Sequence, residues 1–262
     1  MLDTFINNIG PNWFIVVLIV AFLVIQFIGF LFGRRTGRPK EGADTSALNT
    51  ALAAILGVVA LVLSFSFSFG LSRYEQRRQL VLQEANDIGT MYLRTSVLNK
   101  PAGETLRGLL RAYIQKRIDF YGKDGSDPAA QAGNQKAAAA LQDRMWKIVS
   151  DAVRADPRSQ GASLLMQVSN DVIDISAEQY AAFNYRLRGP GLFLIFLVAV
   201  VGSMTLGFGF GCTDSRNWFV SIVFALLLAF LVSTIIDLDS PQSGRIRVNL
   251  TPFDTQQQNM EP

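Results

Sequence analysis

Four apolar runs decide most of what this chain can fold into. Trp13–Phe32 (WFIVVLIVAFLVIQFIGFLF), about Leu48–Leu71, about Leu192–Phe210 and about Trp218–Ile236 are each long enough to cross a hydrocarbon layer of roughly 30 Å. Lipid offers no partner for a bare amide, so each run is expected as a helix. Trp13 and Trp218 open the first and fourth runs, where an interfacial aromatic belt would place them. The first run, about 20 apolar residues, exceeds the roughly 7–15 of a signal-peptide core. No lysine or arginine precedes it and Arg34 and Arg35 follow it, so it reads as a retained span.

Composition narrows the function classes. Hydrophobic residues make up 50% of the 262, charged residues 17%, and the mean hydropathy is +0.26, which excludes an ordinary soluble globular protein. The chain has no histidine, which removes Ser-His-Asp catalysis and imidazole metal sites. Its one cysteine, Cys212, can form neither an internal disulfide nor a multi-thiolate zinc site. A dispersed net charge of +3 gives no case for nucleic acid. No apolar run carries a charge at its centre, which argues against a proton-coupled pump. With no recognisable nucleophile, metal set or cofactor motif, the chain is not expected to be an enzyme.

About 118 residues, Ser72 to Gly189, separate the second and third runs. Their apolar residues recur every three or four positions, the helical period. One helix continues out of the second span through Leu80, Val81, Ala85, Ile88 and Tyr92. A second carries Leu106, Leu109, Leu110, Tyr113, Ile114, Arg117 and Ile118, starting after Pro101. A third follows Asp127 as N-cap and Pro128, and ends before Pro157. A fourth holds Leu164, Leu165, Val168, Val172, Ile175 and Phe183. The expected fold is an all-α integral membrane protein with four transmembrane helices in two hairpins. Residues 1–71 form the first hairpin, 72–189 a helical extramembrane domain, 190–236 the second hairpin and 237–262 a polar tail expected to be extended and partly disordered. Glu84, Asp87 and Arg94 sit one to two turns apart and read as helix-surface pairing or a contact with a neighbouring helix end.

Charge leaves the sidedness open. Arg34, Arg35, Arg38, Lys40 and Arg216 fall on one side of a four-span chain; Arg73, Arg77, Arg78, Arg186, Arg188, Arg245 and Arg247 fall on the other with the N-terminus. The larger group suggests that the N-terminus is inside, whereas the first helix taken alone suggests outside.

The second span is the least greasy. Asn49, Ala53, Gly57, Ala60, Ser64 and Ser68 follow steps of three and four and form one stripe of small and polar side chains about 100° wide. Such a face either lets another helix approach closely or lines a wet passage. Phe67 falls in the same arc, and a ring of Phe67 in an oligomer would be a constriction that gates by dewetting; Phe65 and Phe69 share a different face. Gly207 and Gly211 have helix-contact spacing, and Gln26, Ser221, Ser233 and Thr234 are isolated polar residues suited to interhelical hydrogen bonds. After the fourth span, Asp237 and Asp239 could contribute to a calcium site or pair with Arg73, Arg77 or Arg78 near the membrane surface.

Three blocks carry a resemblance: FSFSFGLSRYEQRRQLVLQEANDIGTMYLR at 65–94, LRGLLRAYIQKR at 106–117 and DLDSPQSGRIRV at 237–248. The chain from about Leu48 to Val248 resembles the bestrophin-like membrane proteins, a family of bacteria and plants long labelled as of unknown function and distantly related to bestrophin anion channels. That resemblance implies a homo-oligomer, a pentamer by this route alone, in a lipid bilayer, with small anions as the permeant species and no cofactor beyond a possible calcium. It also implies a bacterial inner membrane and a cytosolic helical domain, and it likens the Phe67 position to the narrow neck of bestrophins. The reading is a passive anion channel with the second span lining the pore and Arg73, Arg77 and Arg78 raising anion concentration at one mouth. The alternative is a non-conducting membrane scaffold or signalling subunit whose helical domain binds a partner.

Overall fold

The computed structural model describes residues 11–36, 46–122, 128–184, 189–213, 216–240, 246 and 248–261. Eight α-helices lie among them: α1 (Pro11–Thr36), α2 (Ser46–Arg94), α3 (Lys100–Tyr121), α4 (Pro128–Ala155), α5 (Gln160–Asn184), α6 (Gly189–Thr213), α7 (Trp218–Asp239) and α8 (Thr251–Asn259). The described residues contain no strand. Four of these helices, α1, α2, α6 and α7, are long and apolar enough to cross a membrane. Each apolar run of the sequence lies inside one of them.

Helix α2 is the longest, 49 residues or about 70 Å at 1.5 Å per residue. No proline interrupts it, so nothing forces a break where its composition turns from apolar to charged at Arg73. It ends in a 3₁₀ turn over Thr95–Val97, where the Thr95 hydroxyl donates to the Tyr92 carbonyl at 2.7 Å. Asn99 then caps α3, its side chain accepting from the Ala102 amide at 3.2 Å with Pro101 in the first turn. The cap expected at Asp127 lies outside the described residues, as do Arg38, Lys40, Arg186, Arg188, Arg245 and Arg247 of the charge count.

The chain divides into two compact units. The first comprises Met1–Arg73 and Arg186–Ile246, and its described helices are α1, the apolar part of α2, α6 and α7. Its core is Phe14, Leu18 and Phe22 from α1, Val59 and Leu63 from α2, Ile195 and Ala199 from α6, and Ala225, Leu228, Ala229, Val232, Ile235 and Ile236 from α7. Four glycines set the closest approach. A Cβ at Gly29 would strike the Met204 carbonyl oxygen, one at Gly33 that of Phe208, one at Gly207 that of Gln26 and one at Gly211 that of Phe30. The Gly207/Gly211 pair of α6 thus lies backbone to backbone on a matching Gly29/Gly33 pair of α1, the close contact that small residues permit where no hydrophobic force drives helices together in lipid. Large apolar side chains on the outer faces, among them Val16, Val24, Phe193, Leu227 and Phe230, are exposed, as lipid-facing positions should be.

The second unit comprises Tyr74–Tyr185 and Arg247–Pro262. Its core joins Val81, Ala85, Ile88 and Met91 of α2 to Leu106, Leu110, Tyr113 and Ile114 of α3, Met145 and Val149 of α4, and Leu165, Val168 and Val172 of α5. The tail corrects the expectation of an extended segment: Thr251–Asn259 is helical, and Phe253 and Met260 are buried in this same core. Their spacing of seven puts both on one helix face. The glutamine-rich stretch between them hid that periodicity.

Candidate functional site

Asn49, Ala53, Gly57, Ala60, Ser64 and Ser68 are all exposed in the single chain. A Cβ added at Gly57 would meet nothing within 4 Å. The packed side of α2 runs instead through Val59 and Leu63, and Val59 lies against Gly202 of α6, where an added Cβ would come within 2.9 Å of its Cγ1. Within the single chain, then, the stripe is not the surface on which the helices close. Phe67 sits at the edge of the stripe, half-buried against the core of the first unit, whereas Phe65 and Phe69 are exposed. Between Ser46 and Leu71 α2 carries no charged residue.

The three arginines beyond this span do not form one free collar. Arg73 pairs with Asp239 at 3.0 Å. Arg78 is held by Glu75 through two contacts of 2.7 and 3.0 Å. Arg77 is buried and donates from Nε to the Ala182 carbonyl at 3.2 Å. The reason is helical geometry: Arg77 precedes Val81, Glu84 and Ile88 by four, seven and eleven residues, and so lies on the face of α2 that is buried in the second unit. Asp237, Asp239 and Ser240 are buried, and no group of three or more Asp, Glu, His or Cys side chains among the described residues is placed to hold a metal ion.

Sequence reasoning missed a buried polar network in the second unit. Glu84 is fully buried and pairs with the equally buried Arg117 at 2.9 Å, so the surface reading of Glu84 is overturned. The Tyr113 hydroxyl donates to Glu84 Oε1 at 2.6 Å, and Gln142 donates to the Tyr113 oxygen at 3.1 Å. Arg117 and the Tyr121 hydroxyl both donate to Gln179 Oε1. Gln179 in turn donates to the Leu80 carbonyl at 2.7 Å. The Arg117 guanidinium also lies 5.2 and 5.6 Å from the ring centres of Phe120 and Tyr121. Burial, then the Glu84 charge, pushes the Tyr113 phenol well above its usual range, so it stays a neutral donor. Burial opposes the charge on Arg117, but Glu84 beside it holds the guanidinium above its usual range. The signal was present in the sequence: Glu84 falls between Val81 and Ile88, and Arg117 between Tyr113 and Phe120, so each charge interrupts an apolar face and the signs are opposite.

Asp87, one turn on, is half-buried and its Oδ2 has no hydrogen-bond partner. Burial first, then the charges of Asp171 and Glu84, raise its carboxyl above the ordinary range. The α8 end is clamped, with Tyr92 and Arg111 both donating to the Met260 carbonyl at 3.1 and 2.7 Å. Of the isolated polar residues in the spans, Gln26 donates to the Ser221 carbonyl of α7 at 3.3 Å. Thr234 instead donates to Phe230 in its own helix at 2.8 Å.

Four lipid-length helices, a small-residue face left uncovered and a polar-helix unit with its own core define the class, an all-helical integral membrane protein. A family model described as the Bestrophin-like domain matches residues 17–253, and the chain belongs to the bestrophin-like family. Among solved structures it is similar to a bacterial Bestrophin homolog from Klebsiella pneumoniae at 12% identity and a TM-score of 0.70, covering 96% of this chain and 97% of that one. A single-substitution variant of the same homolog matches at 14% identity, TM-score 0.69, with 94% and 96% covered. A structure described as a membrane protein with a glycine-to-alanine substitution matches at 12% identity, TM-score 0.72, with 94% and 97% covered. At these identities the likeness shows the bestrophin fold. No curated protein sequence matches the chain.

Proposed function

We propose that this protein is a homo-oligomeric passive anion channel whose α2 lines the pathway. The observation that carries the reading is the small-residue stripe of Asn49, Ala53, Gly57, Ala60, Ser64 and Ser68, wholly exposed on a helix whose adjoining arc, through Val59 and Leu63, is packed. Copies arranged about an axis with these faces inward would enclose a passage lined by amide and hydroxyl groups. It would have no carboxylate to repel an anion between Ser46 and Leu71. Phe67, at the stripe's edge, is the narrowing residue in this reading. Arg73 contributes at one end only as half of its pair with Asp239, so the field at that mouth is weaker than three free arginines would give. The spans are taken as two hairpins in a bacterial inner membrane with the helical unit cytosolic, and the family relationship supports five subunits.

The test is halide flux from liposomes holding the purified full-length protein, beside Phe67→Ala and Gly57→Leu. Flux that rises with Phe67→Ala and falls with Gly57→Leu is expected, since Gly57 has open space before it and a bulky side chain there would enter the passage. Reversal potentials showing cation preference would remove the anion assignment. Silence from all three proteins, folded and oligomeric, would favour a scaffold in which the stripe packs copies together.

A further inference from the structure

On α1 and α7 of the first unit, Val20, Leu23, Val24 and Phe27 line a groove of about 280 Å³ that is closed at one end by Arg216 and Trp218. The four apolar residues recur at i, i+3, i+4 and i+7, one helix face. Val20, Val24 and Phe27 are exposed, and the face from Val20 to Phe27 is about 10 Å long at 1.5 Å per residue. Arg216 precedes the N-cap Asn217 of α7, at the end of a span, where headgroups begin. Its guanidinium lies 3.6 Å from the Trp218 ring centre and 5.2 and 5.8 Å from those of Phe27 and Phe30. Stacking holds the cation in place but satisfies none of its five N–H donors. No carboxylate among the described residues is paired with it.

We infer that this groove binds one phospholipid of the surrounding bilayer with an anionic headgroup, its phosphate held by Arg216 and its acyl chain lying along Val20, Val24 and Phe27. The chemistry is specific at both ends. A planar guanidinium presents paired donors that match a phosphate. The groove beneath it has no polar side chain to reward water, and its position on two membrane-crossing helices supplies acyl chains at solvent concentration. Trp218, exposed at the interface, would flank the glycerol region as belt tryptophans do.

Trp218 is also the reporter. Trp13 and Trp146 are the other two tryptophans, so a full-length Trp13→Phe/Trp146→Phe protein emits from Trp218 alone. It would be reconstituted in phosphatidylcholine vesicles with increasing fractions of either dibrominated phosphatidylglycerol or dibrominated phosphatidylcholine, whose bromines quench a touching indole. The expected result is a preference for the glycerol lipid of about fivefold, the factor that one interfacial arginine commands toward an anionic lipid. Arg216→Gln should abolish that preference and Arg216→Lys should keep part of it. Equal quenching by the two lipids, or a preference that survives Arg216→Gln, would overturn the inference. Absence of quenching by either would also overturn it, because a second copy or another protein surface would then cover the groove. If the double tryptophan variant fails to fold, native mass spectrometry of the unmodified protein and of Arg216→Gln gives the same decision: retained phosphatidylglycerol on the first and not the second is expected, and equal retention refutes.

Discussion

Replacing Glu84 by glutamine removes the carboxylate that is paired with the Arg117 cation among the described residues. Both side chains of the pair are fully buried, and water cannot reach the guanidinium unless the packing opens. Removing one partner of a buried pair costs about 3–5 kcal/mol, most of it the uncompensated charge. The second unit has roughly 130 residues, for which an unfolding entropy of about 2.1 cal/mol/K per residue converts that loss into a fall of about 10–20 °C in Tm. Arg117→Met should cost a comparable amount, because Glu84 would keep only the Tyr113 hydroxyl among its present donors. The double variant should lose less than the two singles together by about 1–3 kcal/mol. Trp146 lies in this unit, so urea titrations of the full chain in detergent, with Trp13 and Trp218 changed to phenylalanine, follow its unfolding without signal from the spans. A Glu84→Gln loss under about 1 kcal/mol, or strictly additive single losses, would refute the argument that a desolvated, coupled pair holds this core.

Two further expectations rest on specific contacts. Gly207→Ala puts a methyl group against the Gln26 backbone carbonyl, which cannot yield as a side chain can; it should lower stability in detergent by about 1–3 kcal/mol. Gly57→Ala, facing open space, should leave thermal melting unchanged, and a matched loss in both would refute the assigned packing. Asp87 has its folded-state carboxyl raised by burial and by Asp171 and Glu84, so the folded state binds a proton more readily than the unfolded chain, and this contribution to stability is lost as pH rises through the raised value. Asp87→Asn should therefore melt higher than the parent at pH 7, with the gain vanishing below the ordinary aspartate value of 3.8; a gain that does not change across that range would sink the electrostatic explanation.

The spans were legible because their signal is length and apolarity, which lipid makes sufficient. All four runs lie within helices, and Gly207/Gly211 mark a true close contact. The Gly29/Gly33 pair has the same spacing in the sequence but sits in so apolar a run that it carries no contrast. The second unit was readable as helices, less so as a core, because propensity and period say nothing about which charges are paired inside. Glu84 looks like any helix-surface glutamate until Arg117 is placed opposite it, and those two are 33 positions apart. The tail fails for a related reason, since two apolar anchors seven residues apart among glutamines gain helix stability from the core they dock on and little from their own propensity.

Helix α2 shows why one periodicity supports different outcomes along a single element. In the first unit its packed face runs through Val59 and Leu63, in the second through Arg77, Val81, Glu84 and Ile88, and Arg77 is buried because of where it falls on that second face. The exposed side divides in turn. Ile55, Val58, Phe65 and Phe69 are large and apolar, whereas Asn49 through Ser68 present small and polar groups. Lipid rewards the first set and has nothing to offer the second. In the channel reading proposed above this face meets water, in the scaffold reading another copy, and Gly57→Leu distinguishes them when flux and oligomeric state are read together: a bulky residue lowers flux with the oligomer intact at a wet passage, while at a copy-to-copy contact it breaks the oligomer.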